Sequence, residues 1–268
     1  MASPWIAALT ALFLWWFLTG AILVAVRHAD RAGRRAPLLC TLAALPLLIF
    51  GLWGHLTTQG DPAPGAVYGS FVAALAIWAW VETAFLTGIV TGPNTHPCPA
   101  HLPEWERFVR AWGTIAYHEM LLAGLLAALW IHGHGTAGAF GLWTFTVLYF
   151  ARISAKLNLY FGVLRINTEF LPRTLSHLAS HFRIAKLNWV FPISITALSF
   201  ATACWLDRLA LAPTELAATG FALLSAITAL ALLEHWLMVL PVPDAKLWRW
   251  MLPAPKPTTR RPEGHHGL

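Results

Sequence analysis

Three carboxylates stand where carboxylates are costly: Glu82, Glu119 and Glu234 each interrupt a long apolar run of the 268-residue chain. Ionisable side chains in such runs are rare and by default point to function. Each acid lies six to eight residues from the end of its run that borders a basic segment. At 1.5 Å per residue that is a depth of roughly 9 to 12 Å, so the three share one layer. Histidines adjoin two of them, His118 beside Glu119 and His235 beside Glu234. A longer polar segment adds Glu169, in Asn167-Thr168-Glu169-Phe170-Leu171-Pro172, and the pair His177 and His181. Four residues apart, those two imidazoles share a face if the segment is an α-helix.

The chemistry open to these groups is of several kinds. Glu82, Glu119, Glu169 and Glu234 with His177 and His181 make up the ligand inventory of a carboxylate-bridged di-iron or di-manganese site in a helical bundle, as a membrane-embedded oxidoreductase would use. Neutral imidazole at His118, His235 or His181 suits axial ligation of the magnesium of a chlorin such as bacteriochlorophyll. Stacked acids also make proton relays. Against a metal stands the spacing. Neighbours such as His118 and Glu119 diverge by about 100° around a helix, and the Glu-x-x-His pattern of soluble di-iron bundles is absent. A lone acid can also stay protonated and hydrogen-bond across helices, and His177 and His181 can touch lipid phosphates.

Elements that position such groups must be membrane helices. The chain is 57% hydrophobic and 11% charged, where a soluble domain carries about a quarter charged residues. A span needs about 20 apolar residues. Seven stretches qualify: Pro4–Val26, Pro37–Leu56, Val67–Val90, Ala111–Ile131, Ala137–Ser154, Asn188–Leu206 and Leu216–Leu240. None shows the period-2 alternation of a barrel, so the fold class is all-α and polytopic. On this assignment 17 of the 18 Lys and Arg fall on one side and only Arg208 on the other. The positive-inside rule makes the crowded side cytoplasmic, with the N-terminus periplasmic and the C-terminus cytoplasmic. The net charge of +6 thus reads as topology and not as a nucleic-acid surface. Membrane lipid is the expected partner. No basic segment precedes the first span, so a cleavable signal peptide is not expected.

Residues 1–252 read as one transmembrane domain and 253–268, rich in proline and charge, as a disordered tail. Thr91–Arg110 opens with Gly92-Pro93-Asn94 and reads as an ordered loop. Leu175, Leu178, Ala179 and Phe182 predict a short amphipathic helix over Arg173 to Ile184, lying on the inner surface. Cys40, Cys98 and Cys204 have no CxxC spacing and fall on different sides, which argues against a disulfide.

Several stretches resemble the photosynthetic complex assembly protein family (PuhE type) of purple phototrophic bacteria. They are Ser3-Pro4-Trp5-Ile6-Ala7-Ala8 through Trp15-Trp16-Phe17, Gly92-Pro93-Asn94-Thr95-His96-Pro97-Cys98-Pro99 and Ala116-Tyr117-His118-Glu119. Lys156-Leu157-Asn158 through Pro172 with His177 to Phe182, and Glu234-His235-Trp236 to Pro243-Asp244-Ala245-Lys246, complete the set. The resemblance implies a multi-pass protein of the bacterial inner (intracytoplasmic) membrane. It implies partners among reaction-centre or light-harvesting subunits and a link to bacteriochlorophyll supply. It brings no catalytic residues with it.

Overall fold

The computed structural model describes residues 3–61, 63–136 and 139–241. Helices dominate, and no strand forms among the described residues; one isolated bridge joins Val163 to Ile184. The first helix, α1 (Pro4–Arg31), starts on a proline, whose missing N–H costs nothing there. Its 28 residues make a rod about 42 Å long. Next, α2 (Ala36–Ala43) and α3 (Leu45–Thr58) form one rod interrupted at Ala44, where Pro46 cannot donate to the helical ladder. Then come α4 (Pro64–Leu86), α5 (Glu104–Gly113), α6 (Ala116–Gly133), α7 (Phe140–Phe161), α8 (Val190–Ala210) and α9 (Glu215–Leu237).

Five of these rods, counting α2 and α3 as one, are long and apolar enough to cross a membrane. The bent pair α5–α6 makes a sixth. Helix α7, less apolar because it carries Arg152 and Lys156, packs between α4, α6, α8 and α9 as the seventh rod. The outside of the bundle is as apolar as the inside: Trp5, Leu9 and Phe13 of α1, Ile49 and Trp53 of α3 and Phe200 of α8 are all exposed. Only lipid accepts such a surface over helices that satisfy their own backbone groups, so this is a polytopic α-helical membrane protein.

Helix α4 forms the axis, with Phe71, Ile77 and Val81 fully buried, and α9 lies beside it with Leu223, Leu224 and Ile227. Small residues let the helices close. A Cβ on Gly51 of α3 would stand 2.6 Å from the Ala73 carbonyl oxygen of α4, so only glycine fits this crossing.

Some boundaries differ from the sequence reading, each for a local reason. The expected loop Thr91–Arg110 becomes helical at Glu104, because Pro103 holds an extended backbone and Glu104 and Glu106 favour the positive helix start. The chain then bends by 66°, and the fourth span begins at Ala116 instead of Ala111. The amphipathic segment expected over 173–184 forms as a 3₁₀-helix, Arg173–His181, whose Leu175 and Leu178 bury against Phe85 at the end of α4. The expected tail, 253–268, lies outside the described residues.

Candidate functional site

The residues of interest collect at the basic end of the bundle, around α7. The fifth span expected from sequence ends at Ser154, with Arg152 at its edge and Lys156 just beyond it. Instead α7 continues to Phe161, carrying both cations four residues apart along one face into the bundle. Arg152 Nη2 donates to Glu82 Oε2 of α4 at 2.7 Å. Lys156 Nζ donates to Glu119 Oε1 of α6 and lies 5.4 Å over the Phe85 ring. A helix can carry two charges through this region only because each meets an opposite charge at hydrogen-bonding distance.

The third acid is held differently. Trp15 Nε1, near the middle of α1, donates to Glu234 Oε1 at 2.8 Å. Glu234 is exposed in the last turn of α9, whereas its neighbour His235 is buried. Trp15 is therefore a partner of the polar layer.

The two histidines beside the acids differ as well. His235 is committed: Nδ1 donates to the Ala231 carbonyl at 2.8 Å and Nε2 meets the Ser154 hydroxyl at 2.9 Å. His118 is fully buried with its ring 4.4 Å from that of Phe85, and neither ring nitrogen has a hydrogen-bond partner among the described residues. Buried polar atoms without partners are uncommon and call for a reason.

The remaining candidates lie in the capping segment. Glu169 is exposed in the turn Thr168–Phe170. At three residues per turn of 3₁₀-helix, His177 and His181 point about 120° apart, so the common face expected from α geometry is not formed. His181 is buried and donates from Nε2 to the His96 carbonyl at 3.2 Å. Among the described residues no group of three or more His, Cys, Asp or Glu is assembled that could hold a metal ion. Two of the three span acids are ion-paired, and this set does not fit a di-iron or di-manganese centre.

What sequence reasoning missed are the counter-charges, Arg152 and Lys156, and the donor Trp15. The first two had a signal. Acids inside spans demand cations at the same depth, and an Arg–Lys pair four apart at a span end supplies them. Trp15, 219 residues from its partner, had none.

The cap is sensitive to acid. Burial pushes the His181 imidazole below its ordinary range, against the bond to His96, with Arg107 and Arg110 adding repulsion. Burial and the neighbouring His181 and His96 lower His177 likewise. The folded state then binds fewer protons than the unfolded state near the ordinary imidazole pKa, so stability is complete above that range and falls below it. Lowering the pH from about 7.5 to about 5.5 is expected to lower the thermal midpoint of detergent-solubilised protein, and His181→Asn to flatten the response. A midpoint that rises on acidification contradicts this assignment.

Comparison with known proteins follows the whole chain. A Rhodobacter capsulatus protein described as "Uncharacterized 30.4 kDa protein in puhA 5'region" is 51% identical over 254 residues, covering 95% of this chain and 93% of the relative. No solved structure matches the chain. The family model described as "Protein of unknown function (DUF3623)" matches residues 1–259. The chain belongs to the DUF3623 family.

Proposed function

We propose that the chain is an inner-membrane factor for assembly of photosynthetic reaction-centre or light-harvesting complexes, handling bacteriochlorophyll or a related pigment in the process. The observation that carries this reading is the Rhodobacter capsulatus relative. It is half identical almost end to end, and its description places it in the puhA 5' region, in line with the resemblance of this chain to the photosynthetic complex assembly family. The physical features agree with such a role. The apolar outer faces of α1, α3 and α8 suit lipid and the helices of other membrane proteins, which associate through close packing and a few polar contacts. With the basic end cytoplasmic, the charge layer lies in the inner leaflet.

Pigment handling rests on His118. A neutral imidazole with free ring nitrogens is the group that the magnesium of a chlorin takes as an axial ligand. His235 is less suited, since Ala231 and Ser154 already occupy its ring. Because His118 packs on Phe85, a pigment reaches it only when that ring moves aside. The di-metal oxidoreductase reading has less support, because Arg152 and Lys156 already neutralise Glu82 and Glu119.

The test is deletion of the gene followed by near-infrared absorption of the membranes. The reading expects the bands of the assembled complexes to fall severalfold, recovery with the wild-type gene, and weaker recovery with His118→Leu. Unchanged bands in the deletion strain overturn it.

A further inference from the structure

A cavity of about 410 Å³ opens at the end of the bundle away from the charge layer, where α7 begins, α8 ends and α9 begins. Its volume is within the range of small-molecule sites. Phe140 and Trp143 of α7, Trp205 of α8 and Phe221 of α9 form its walls. The Trp205 ring stacks on that of Phe221 at 6.1 Å and lies 6.0 Å from that of Trp143. Phe221 is six residues into α9, so the walls reach roughly 9 Å below the start of that helix. That is the zone where a headgroup meets its hydrocarbon chains.

The polar groups at this cavity are donors that lack acceptors. Arg208, near the end of α8, lines it with the guanidinium 5.9 Å over the Phe221 ring, and it has no ion pair among the described residues. Its neighbour Asp207 diverges by about 100° around the helix, and no Asp or Glu is among the described residues that line the cavity. Trp205 Nε1 is buried and has no acceptor among the described residues. The Thr136 hydroxyl is already spent on the Gly133 carbonyl at 2.9 Å. By sequence Arg208 is also the single Lys or Arg left at this end, against the bias that gathers the other 17 at the far one. Lys156 stands thirteen residues along α7 from Trp143, roughly 20 Å away, so the cations of the charge layer do not reach this site.

We propose that this cavity binds an amphiphile with an apolar body and an anionic head, the body against the aromatic walls and the head on Arg208 and the Trp205 indole. The donors select the head. A carboxylate or phosphate brings both acceptors and the opposite charge, whereas an amine head is repelled and a neutral one leaves the guanidinium uncompensated. The walls select the body, since four aromatic rings replace none of the hydration that a small hydrophilic anion gives up. An acidic phospholipid and a free lipophilic acid share this chemistry. The inference does not depend on the photosynthetic reading, which concerns the other end of the bundle.

Cys204, a free thiol that lines the cavity, reports its occupancy, and Cys40 and Cys98, outside it, serve as references. The full chain in a neutral detergent is alkylated with N-ethylmaleimide, and each cysteine is followed by peptide mass spectrometry. The probes are oleate, dioleoylphosphatidylglycerol and, as the uncharged-overall control, dioleoylphosphatidylcholine. At least one anionic probe is expected to slow Cys204 severalfold and saturably, with the two references unaffected and phosphatidylcholine without effect. Protection by phosphatidylglycerol alone identifies a membrane lipid, by oleate alone a free lipophilic acid, and by both a site that reads the charge of the head. Arg208→Gln is expected to raise the half-protecting concentration about tenfold, the scale of one hydrogen bond to a charged group, and Arg208→Lys to keep part of the protection. Trp205→Phe keeps an aromatic wall and removes the donor, and its expected loss of about fivefold tests the site again if Arg208→Gln does not accumulate. Equal protection by phosphatidylcholine, none by either anionic probe, or an unchanged half-protecting concentration in these variants overturns the proposal. So does a Cys204 thiol closed to the reagent before any probe is added.

Discussion

Lys156→Met is expected to destabilise the bundle by roughly 3 to 5 kcal/mol, the cost of removing one partner from a buried ion pair. Lys156 and Glu119 have side chains only 17% and 13% exposed, so the abandoned carboxylate finds no water to replace its cation. It must take up a proton, or the helices must part. The double change Lys156→Met with Glu119→Gln is expected to recover most of the loss, because a neutral, shape-conserving pair leaves no charge uncompensated. Thermal unfolding of the solubilised variants measures both. A single variant as stable as the wild type would show that the pair is not buried as described.

The second large effect is at Gly92. A Cβ there would stand 2.1 Å from the Gly113 carbonyl oxygen, 2.7 Å from the Thr114 carbonyl carbon and 2.8 Å from the Ile115 nitrogen. All three are backbone atoms and cannot swing away. This contact clasps the bend between α5 and α6, and hydrogen bonds hold it. Asn94 N donates to the Gly113 carbonyl, Asn94 Nδ2 to that of Arg110, and His118 N to that of Thr91. Gly92→Ala is therefore expected to cost roughly 3 kcal/mol and to release His118 from its place under the loop. Gly124 supplies the control. Nothing lies within 4 Å of its Cβ position, so Gly124→Ala is expected to be neutral or stabilising by about 0.5 to 1 kcal/mol. Expression level and thermal midpoint of the two variants separate a steric clasp from a general loss of glycine flexibility.

These two sites show what the chain's order of residues reveals and what it conceals. Hydropathy and the bias of Lys and Arg locate the long rods, of which five, or six with the bent pair, are long and apolar enough to cross a membrane, because lipid imposes similar length and polarity on every crossing. Gly92-Pro93-Asn94 is readable as ordered chain, but the approach of Gly113 is a contact across the fold with no local pattern. Glu82, Glu119 and Glu234 stand out because each breaks an apolar run. Their partners do not. Arg152 and Lys156 look like loop residues, since cations at a span end ordinarily mark where the membrane stops. Here they continue a helix, and only the acids on α4 and α6 make that tolerable. His177 and His181 share a face in an α-helix but not in the tighter 3₁₀ turn that packs Leu175 and Leu178 on Phe85. Glu234 reads as one of three equivalent acids, whereas the structure gives it a hydrogen bond from Trp15 in place of the ion pairs of the other two.

Glu82 and Glu119 are neutralised within the bundle and serve its stability, while Glu234 is held by the Trp15 indole. His118 is fully buried with both ring nitrogens free of hydrogen bonds among the described residues.

The most direct measurement of the central claim is the rate at which newly made reaction-centre and light-harvesting subunits enter complexes. Pulse-labelled subunits are followed by native gel in wild-type and deletion strains. The account predicts normal subunit synthesis, incorporation slowed severalfold in the deletion strain, and restoration by the wild-type chain but weaker restoration by His118→Leu. Incorporation at the wild-type rate in the deletion strain would contradict it.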